Sequence, residues 1–157
     1  MAIEKVREYF RQFGIEDKII ELPQSSATVE LAAEALHCEP QRIAKTLSFH
    51  VSDRVVLIVA AGDAKIDNQK YKQYFREKAR MLDSSEAESL TGHAVGGVCP
   101  FAVIEGTEVY LDKSLKRFKS VYPAAGSANS AILLTLDELE KYSKCSDWID
   151  VCKGWDI

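Results

Sequence analysis

Residues 43–61 read Ile43-Ala44-Lys45-Thr46-Leu47-Ser48-Phe49-His50-Val51-Ser52-Asp53-Arg54-Val55-Val56-Leu57-Ile58-Val59-Ala60-Ala61. Two runs rich in β-branched and aromatic residues, Thr46 to Val51 and Val55 to Ala60, flank Ser52-Asp53-Arg54. That pattern predicts two strands joined by a hairpin-like connection. In the first strand Leu47 and Phe49 take the inward face, and the two-residue period puts Lys45 on the same face at the strand's start. A lysine so placed either snorkels to water or, held at a cavity mouth, offers a fixed ammonium to a phosphate or carbonyl oxygen.

Upstream of this hairpin, Ile3, Val6, Phe10 and Phe13 recur at helical spacing, with Gly14 as the stop. Ile19 to Leu22 reads as a short strand ended by Pro23. Thr28 is placed to cap a helix through Leu31, Ala32, Ala35 and Leu36, and Pro40 opens a brief helix to Ala44. Downstream, Asp67 caps a helix bearing Tyr71, Tyr74 and Phe75, and Lys78 to Leu82 reads as a strand. Asp83 with Glu86 starts a helix that ends before Gly92. Phe101 to Ile104, Val109 to Leu111, Ser120 to Tyr122 and Ala131 to Leu134 read as further strands. Thr135-Leu136-Asp137-Glu138 is a capping box, and Trp148 to Val151 a last strand. The elements lack the regular alternation of a doubly wound parallel sheet. They predict a single α+β domain, residues 1–157, around a mixed, largely antiparallel sheet.

The chain has 157 residues, 46% hydrophobic and 28% charged, with a formal charge of −4. That length buries a core without disulfide staples. No stretch is long and apolar enough to span a bilayer, and no signal peptide is visible, so a cytoplasmic protein is expected, with no membrane and no DNA partner. Cys38, Cys99, Cys145 and Cys152 form no C-x-x-C pair, and His37, His50 and His93 are scattered. No metal site and no cofactor are expected. Charge is uneven: Lys65 to Arg80 holds six basic residues against two acidic ones, while Lys113, Lys116, Arg117 and Lys119 form a second cluster. Such patches either hold phosphates at one place or are ordinary solvated helix faces.

Two loops resist explanation as core or surface. Gly92-His93-Ala94-Val95-Gly96-Gly97-Val98-Cys99-Pro100-Phe101 has adjacent glycines that let backbone approach a ligand, but no phosphate-loop spacing. A tight turn between helix and strand is the plainer reading, and His93 is either a base or a hydrogen-bonded structural residue. Tyr122-Pro123-Ala124-Ala125-Gly126-Ser127-Ala128-Asn129-Ser130 is a shallow pocket wall or a plain polar loop.

In order, Lys45-Thr46-Leu47, the Gly92 to Phe101 loop, and Ala125 to Ser130 before Leu134-Thr135 resemble the YbaK / prolyl-tRNA synthetase-associated domain family. The resemblance runs from about Thr28 to Glu140. It implies a mixed sheet curled into a partial barrel with surrounding helices. It also implies an aminoacyl-tRNA deacylase that hydrolyses mischarged tRNA, with the tRNA 3′ acceptor end and prolyl-tRNA synthetase as expected partners. Carried over by residue, Lys45 matches the essential lysine. Gly96, Gly97, Val98, Cys99 and Pro100 match the substrate-cradling loop, and Gly126, Ser127 and Asn129 the aminoacyl pocket. Thr46 and Ser130 stand where alanine-specific members carry Asn and His, and Cys99 where serine is common. The expected substrate carries a small amino acid (Cys, Ser, Thr or Ala), probed by a positioned water with Lys45 and the loop amides around it. His93 is the candidate base, and Lys70, Lys72 and Arg76 the candidate grip on the tRNA backbone. The rival reading is a non-catalytic module that binds the aminoacylated 3′ end.

Overall fold

The computed structural model describes residues 2–94 and 96–155. Strands β2 (Ile43–Val51) and β3 (Arg54–Ala61) form the expected antiparallel hairpin, with unbroken register from Ala44↔Ala61 to Val51↔Arg54. The connection tightens to Ser52-Asp53, with Ser52 in the left-handed region at φ 55°. β3 is fully buried from Val56 to Ala61, because it lies at the centre of a sheet covered on both faces.

Around this pair sit β5 (Glu108–Asp112), β6 (Ser120–Pro123), β8 (Leu134–Thr135) and β9 (Asp147–Ile149), in the order β8-β6-β2-β3-β5-β9. β6 joins β2, β5 joins β3 and β9 joins β5 in parallel; β8 joins β6 antiparallel. Two antiparallel pairs form separate two-stranded sheets: β1 (Ile19–Glu21) with β7 (Ser130–Ile132), and β4 (Lys65–Ile66) with β10 (Cys152–Lys153). The mixed sheet curls into a half-barrel with five α-helices among the described residues around it, the α+β architecture expected.

The four later α-helices each begin where a side chain satisfies the first amides. Thr28 caps α2 (Val29–Leu36) and Asp67 caps α3 (Asn68–Phe75). Reciprocal capping boxes, Asp83 with Glu86 and Thr135 with Glu138, open α4 (Ser84–Thr91) and α5 (Leu136–Ser143). α1 (Ala2–Arg11) buries Val6 and Phe10, and the Phe10 ring packs 4.9 Å from that of Phe101. Among the described residues, no helix is long and apolar enough to cross a membrane.

Three predicted strands differ. Lys78 to Leu82 makes only an isolated bridge, Phe49↔Met81, through His50 N–H to Arg80 O and Leu82 N–H to Ser48 O. α4 starts at Ser84 and turns the chain away before a ladder can grow. Phe101 to Ile104 is irregular, because Ala102 adopts φ 52° and breaks the extended backbone. Ala131 to Leu134 splits at the exposed Leu133, so that β7 pairs with β1 while β8 pairs with β6.

Candidate active site

A cavity of about 450 Å³ runs along β2, walled by the Ser26–Val29 segment and α2 on one side. Met81, Leu82, Gly96 and Val98 also line it, with Tyr122, Ala124 and Ser130 from the β6–β7 region. Its size lies within the range of about 300–1,000 Å³ that accommodates small molecules. The lining is mostly apolar or small, with hydroxyls at Ser26, Thr28, Thr46, Ser48, Ser84 and Ser130. Among the described lining residues Lys45 alone carries a formal charge.

The position of Lys45 follows from the turn that leaves β3. Its Nζ donates to the main-chain oxygens of Ala64 and Gly62, the latter at 3.4 Å. An ammonium has three donors, so two are taken and one remains for a ligand. Burial lowers the pKa of Lys45, an effect opposed by Cys152, Asp63 and Glu30. Among the described residues no carboxylate pairs with it.

The receiving turn is itself braced. Arg117 forks onto Asp63 at 2.9 and 2.5 Å and donates to Trp155 O, while Ala61 N–H donates to the buried Ser114 hydroxyl. Gly62 has no room for a side chain: a Cβ would stand 2.1 Å from Pro40 O and 2.7 Å from Val29 Cγ1. Arg117, counted in the second basic cluster, is therefore occupied in shaping the turn.

The predicted site residues divide. Lys45, Thr46, Gly96, Val98 and Ser130 line the cavity; Gly97, Cys99, Pro100, Gly126, Ser127 and Asn129 do not. Several of the latter hold the wall in place. Gly97 lies against the next turn so closely that a Cβ would meet Ser127 Cα at 2.8 Å. Its N–H donates to Ala94 O, so this loop amide is already committed. Gly126 instead packs on α1, where a Cβ would meet Val6 Cγ2 at 2.9 Å. Asn129 clamps the Leu22–Ser26 segment, donating from Nδ2 to Leu22 O and accepting from Leu22 N–H at 2.7 Å. Ser127 reaches the cavity only through Ser130, 2.6 Å away.

His93 stands apart from Lys45. It is fully buried outside the cavity lining, and its Nε2 lies 2.7 Å from Phe101 O. A carbonyl only accepts, so Nε2 carries the proton, and burial lowers the pKa to keep the ring neutral. His93 ties the base of the glycine loop and contacts no open space, which removes it as the candidate base. Cys99 is buried beside it, its thiol pushed up to about 12 by burial, so it supplies no thiolate. Among the described residues no cluster of His, Cys, Asp and Glu could hold a metal ion.

None of Lys70, Lys72 and Arg76 lines the cavity. Lys70 is taken up by Asp150 and Cys152 O, both at 3.0 Å, whereas Lys72 and Arg76 are exposed on and just beyond α3. The Ser26–Val29 segment, Met81 to Ser84 and Tyr122 were not among the predicted site residues. Only chain folding, through β1–β7 pairing, the Met81 bridge and β2–β6 pairing, brings them to β2.

Comparison with known proteins places this arrangement. The chain is 55% identical over 157 residues to the uncharacterized protein YwhH of Bacillus subtilis, covering 99% of this chain and 100% of that protein. It is 30% identical over 94 residues to the proline–tRNA ligase of Bacillus cytotoxicus, covering 59% of this chain but 16% of the ligase. A crystal structure of a candidate trans-editing enzyme for prolyl tRNA synthetase superposes with a TM-score of 0.87 and 27% identity, covering 98% of each chain. Residues 24–142, which carry the lysine of β2, both glycine turns and most of the cavity wall, match the aminoacyl-tRNA editing domain, and the chain belongs to that family.

Proposed function

We propose that the chain is a deacylase that hydrolyses the ester between a small amino acid (Ala, Cys, Ser or Thr) and the 3′ end of tRNA-Pro. The observation that carries this reading is Lys45: one half-buried ammonium with a donor to spare, in a cavity otherwise lined by small and apolar groups. An aminoacyl ester is already activated, so no covalent intermediate is needed. Water oxygen bonds to the carbonyl carbon, the bond to the ribose oxygen breaks, and that oxygen leaves with a proton. Lys45 offsets negative charge on a phosphate or carbonyl oxygen, in surroundings where water competes weakly. With His93 buried and Cys99 protonated, the proton acceptor falls to the substrate, through its ribose hydroxyl or amino acid side chain. Lys72 and Arg76 are left to meet the tRNA backbone, and prolyl-tRNA synthetase is the expected source of the mischarged tRNA.

Ala27, Ala32, Ala44, Ala124 and Gly96 give the wall small apolar faces, and the occupant assigned to it is a small side chain. Within that class each methylene changes discrimination by only about 1–3 kcal/mol. A panel of tRNA-Pro charged with Ala, Cys, Ser, Thr and Pro, assayed by loss of the ester, tests the assignment. The expected result is faster hydrolysis of one or more of the four small residues than of Pro. Preference for Pro, or for Phe or Leu on their own tRNAs, would defeat it.

The burial of Lys45 also sets a pH dependence. Its pKa lies below the ordinary lysine value of about 10.4, and the protonated form is the working one. Activity should therefore fall as pH rises through that lowered pKa, after subtraction of spontaneous ester hydrolysis. Lys45→Arg keeps its charge throughout this range, and its residual activity should show no such fall. An alkaline decline shared by both proteins would assign it to another group.

A further inference from the structure

The outer edge of β2 has a gap one residue wide. In the β2–β3 register, His50 N–H donates outward to Arg80 O, and Ser48 O accepts from Leu82 N–H. Main-chain groups of even-numbered residues therefore face away from β3, and the unbroken register extends this alternation to Thr46. At one end β6 covers the edge only as far as Ala44↔Pro123. At the other, the Met81 segment covers it only from Ser48. Between them the N–H and C=O of Thr46, a cavity-lining residue, face the open edge, and neither has a partner among the described residues. The Thr46 hydroxyl oxygen is also buried without a partner. A strand edge that offers one donor and one acceptor beside a cavity is a place that a polar ligand completes.

Resting on the deacylase reading, we propose that this gap binds the α-amino acyl group itself. Thr46 N–H donates to the acyl carbonyl oxygen, and Thr46 C=O accepts from the α-ammonium. The two groups leave the same residue in strand geometry, a donor and an acceptor that pair with a short extended backbone as a sheet edge does. An α-amino ester presents the matching acceptor and donor. The contact reads the features common to all α-amino acids and leaves side-chain choice to the cavity wall. It also supplies a main-chain donor at the carbonyl, a task for which the Gly97 amide is already spent. The ligand class is therefore an α-aminoacyl ester with a free amino group, and acylation of that nitrogen removes the charge and adds bulk where the gap is narrow.

The test uses the 15N-labelled full-length protein and 3′-alanylamino-3′-deoxyadenosine, an amide that resists hydrolysis, with its N-acetyl derivative as the comparison. Deacylation of Ala-tRNA-Pro is measured in parallel. The expected result is a downfield shift and slowed solvent exchange of the Thr46 amide proton on titration, with the N-acetyl compound at least tenfold weaker. A Thr46 amide unmoved at saturation, or equal binding of the two compounds, would overturn the proposal while deacylation stands. Loss of both deacylation and binding would instead overturn the deacylase reading, and this proposal with it.

Discussion

Lys45→Ala is expected to lower deacylation by about 100-fold or more, the scale reached when one preorganised charge-assisted contact is removed from a transition state. The fold should survive, because Lys45 is only half-buried. The loss leaves the Gly62 and Ala64 carbonyls short of one donor, a cost of about 1 kcal/mol per net hydrogen bond. Lys45→Met, which keeps the length of the side chain without the charge, should behave the same way in single-turnover assays. Activity within threefold of the parent in both variants, with unchanged melting, would remove Lys45 from the chemistry.

Gly62→Ala should be the more disruptive change, although Gly62 carries no side chain to react. Its new methyl would meet Pro40 O at 2.1 Å, and a main-chain oxygen cannot swing aside as a side-chain tip can. The turn from Gly62 to Ala64 must move, and the Lys45 ammonium moves with the carbonyls that hold it. Overpacking of this kind costs about 1–3 kcal/mol, and a displacement near 1 Å at a catalytic group costs about 100-fold in rate. Urea denaturation and single-turnover deacylation measure the two effects separately. A variant with parental stability and rate would show that the turn is slack and that its carbonyls do not position Lys45.

Much of this was legible in the sequence because local patterns agreed with the final structure. Val55 to Ala60 reads as a strand, and Asp83 with Glu86 and Thr135 with Glu138 mark helix starts within a residue. Lys45 drew notice as a charge on an apolar strand. What sequence could not supply was contact between distant segments. Gly62 sits in an ordinary Ala-Ala-Gly-Asp turn, and its role depends on Pro40 folding over it. Ser26 to Val29 belongs to the cavity because Asn129 clamps the preceding loop beside β7. Ala125 to Ser130 reads as a pocket lining, yet only Ser130 of that stretch faces the cavity, while Ala125 and Gly126 face the core and α1. The sequence leaves His93 as either a base or a hydrogen-bonded structural residue, and only the folded loop brings it to the carbonyl of Phe101.

The most direct measurement is single-turnover hydrolysis of Ala-, Cys-, Ser- and Thr-tRNA-Pro by purified protein in excess, with EDTA present and Lys45→Ala in parallel. The deacylase account predicts that at least one of these esters is lost about 100-fold or more faster than in buffer alone, that chelation leaves the rate unchanged, and that the variant loses the acceleration. Bound tRNA whose ester decays no faster than in buffer would contradict it and leave a module that binds the aminoacylated 3′ end without cleaving it.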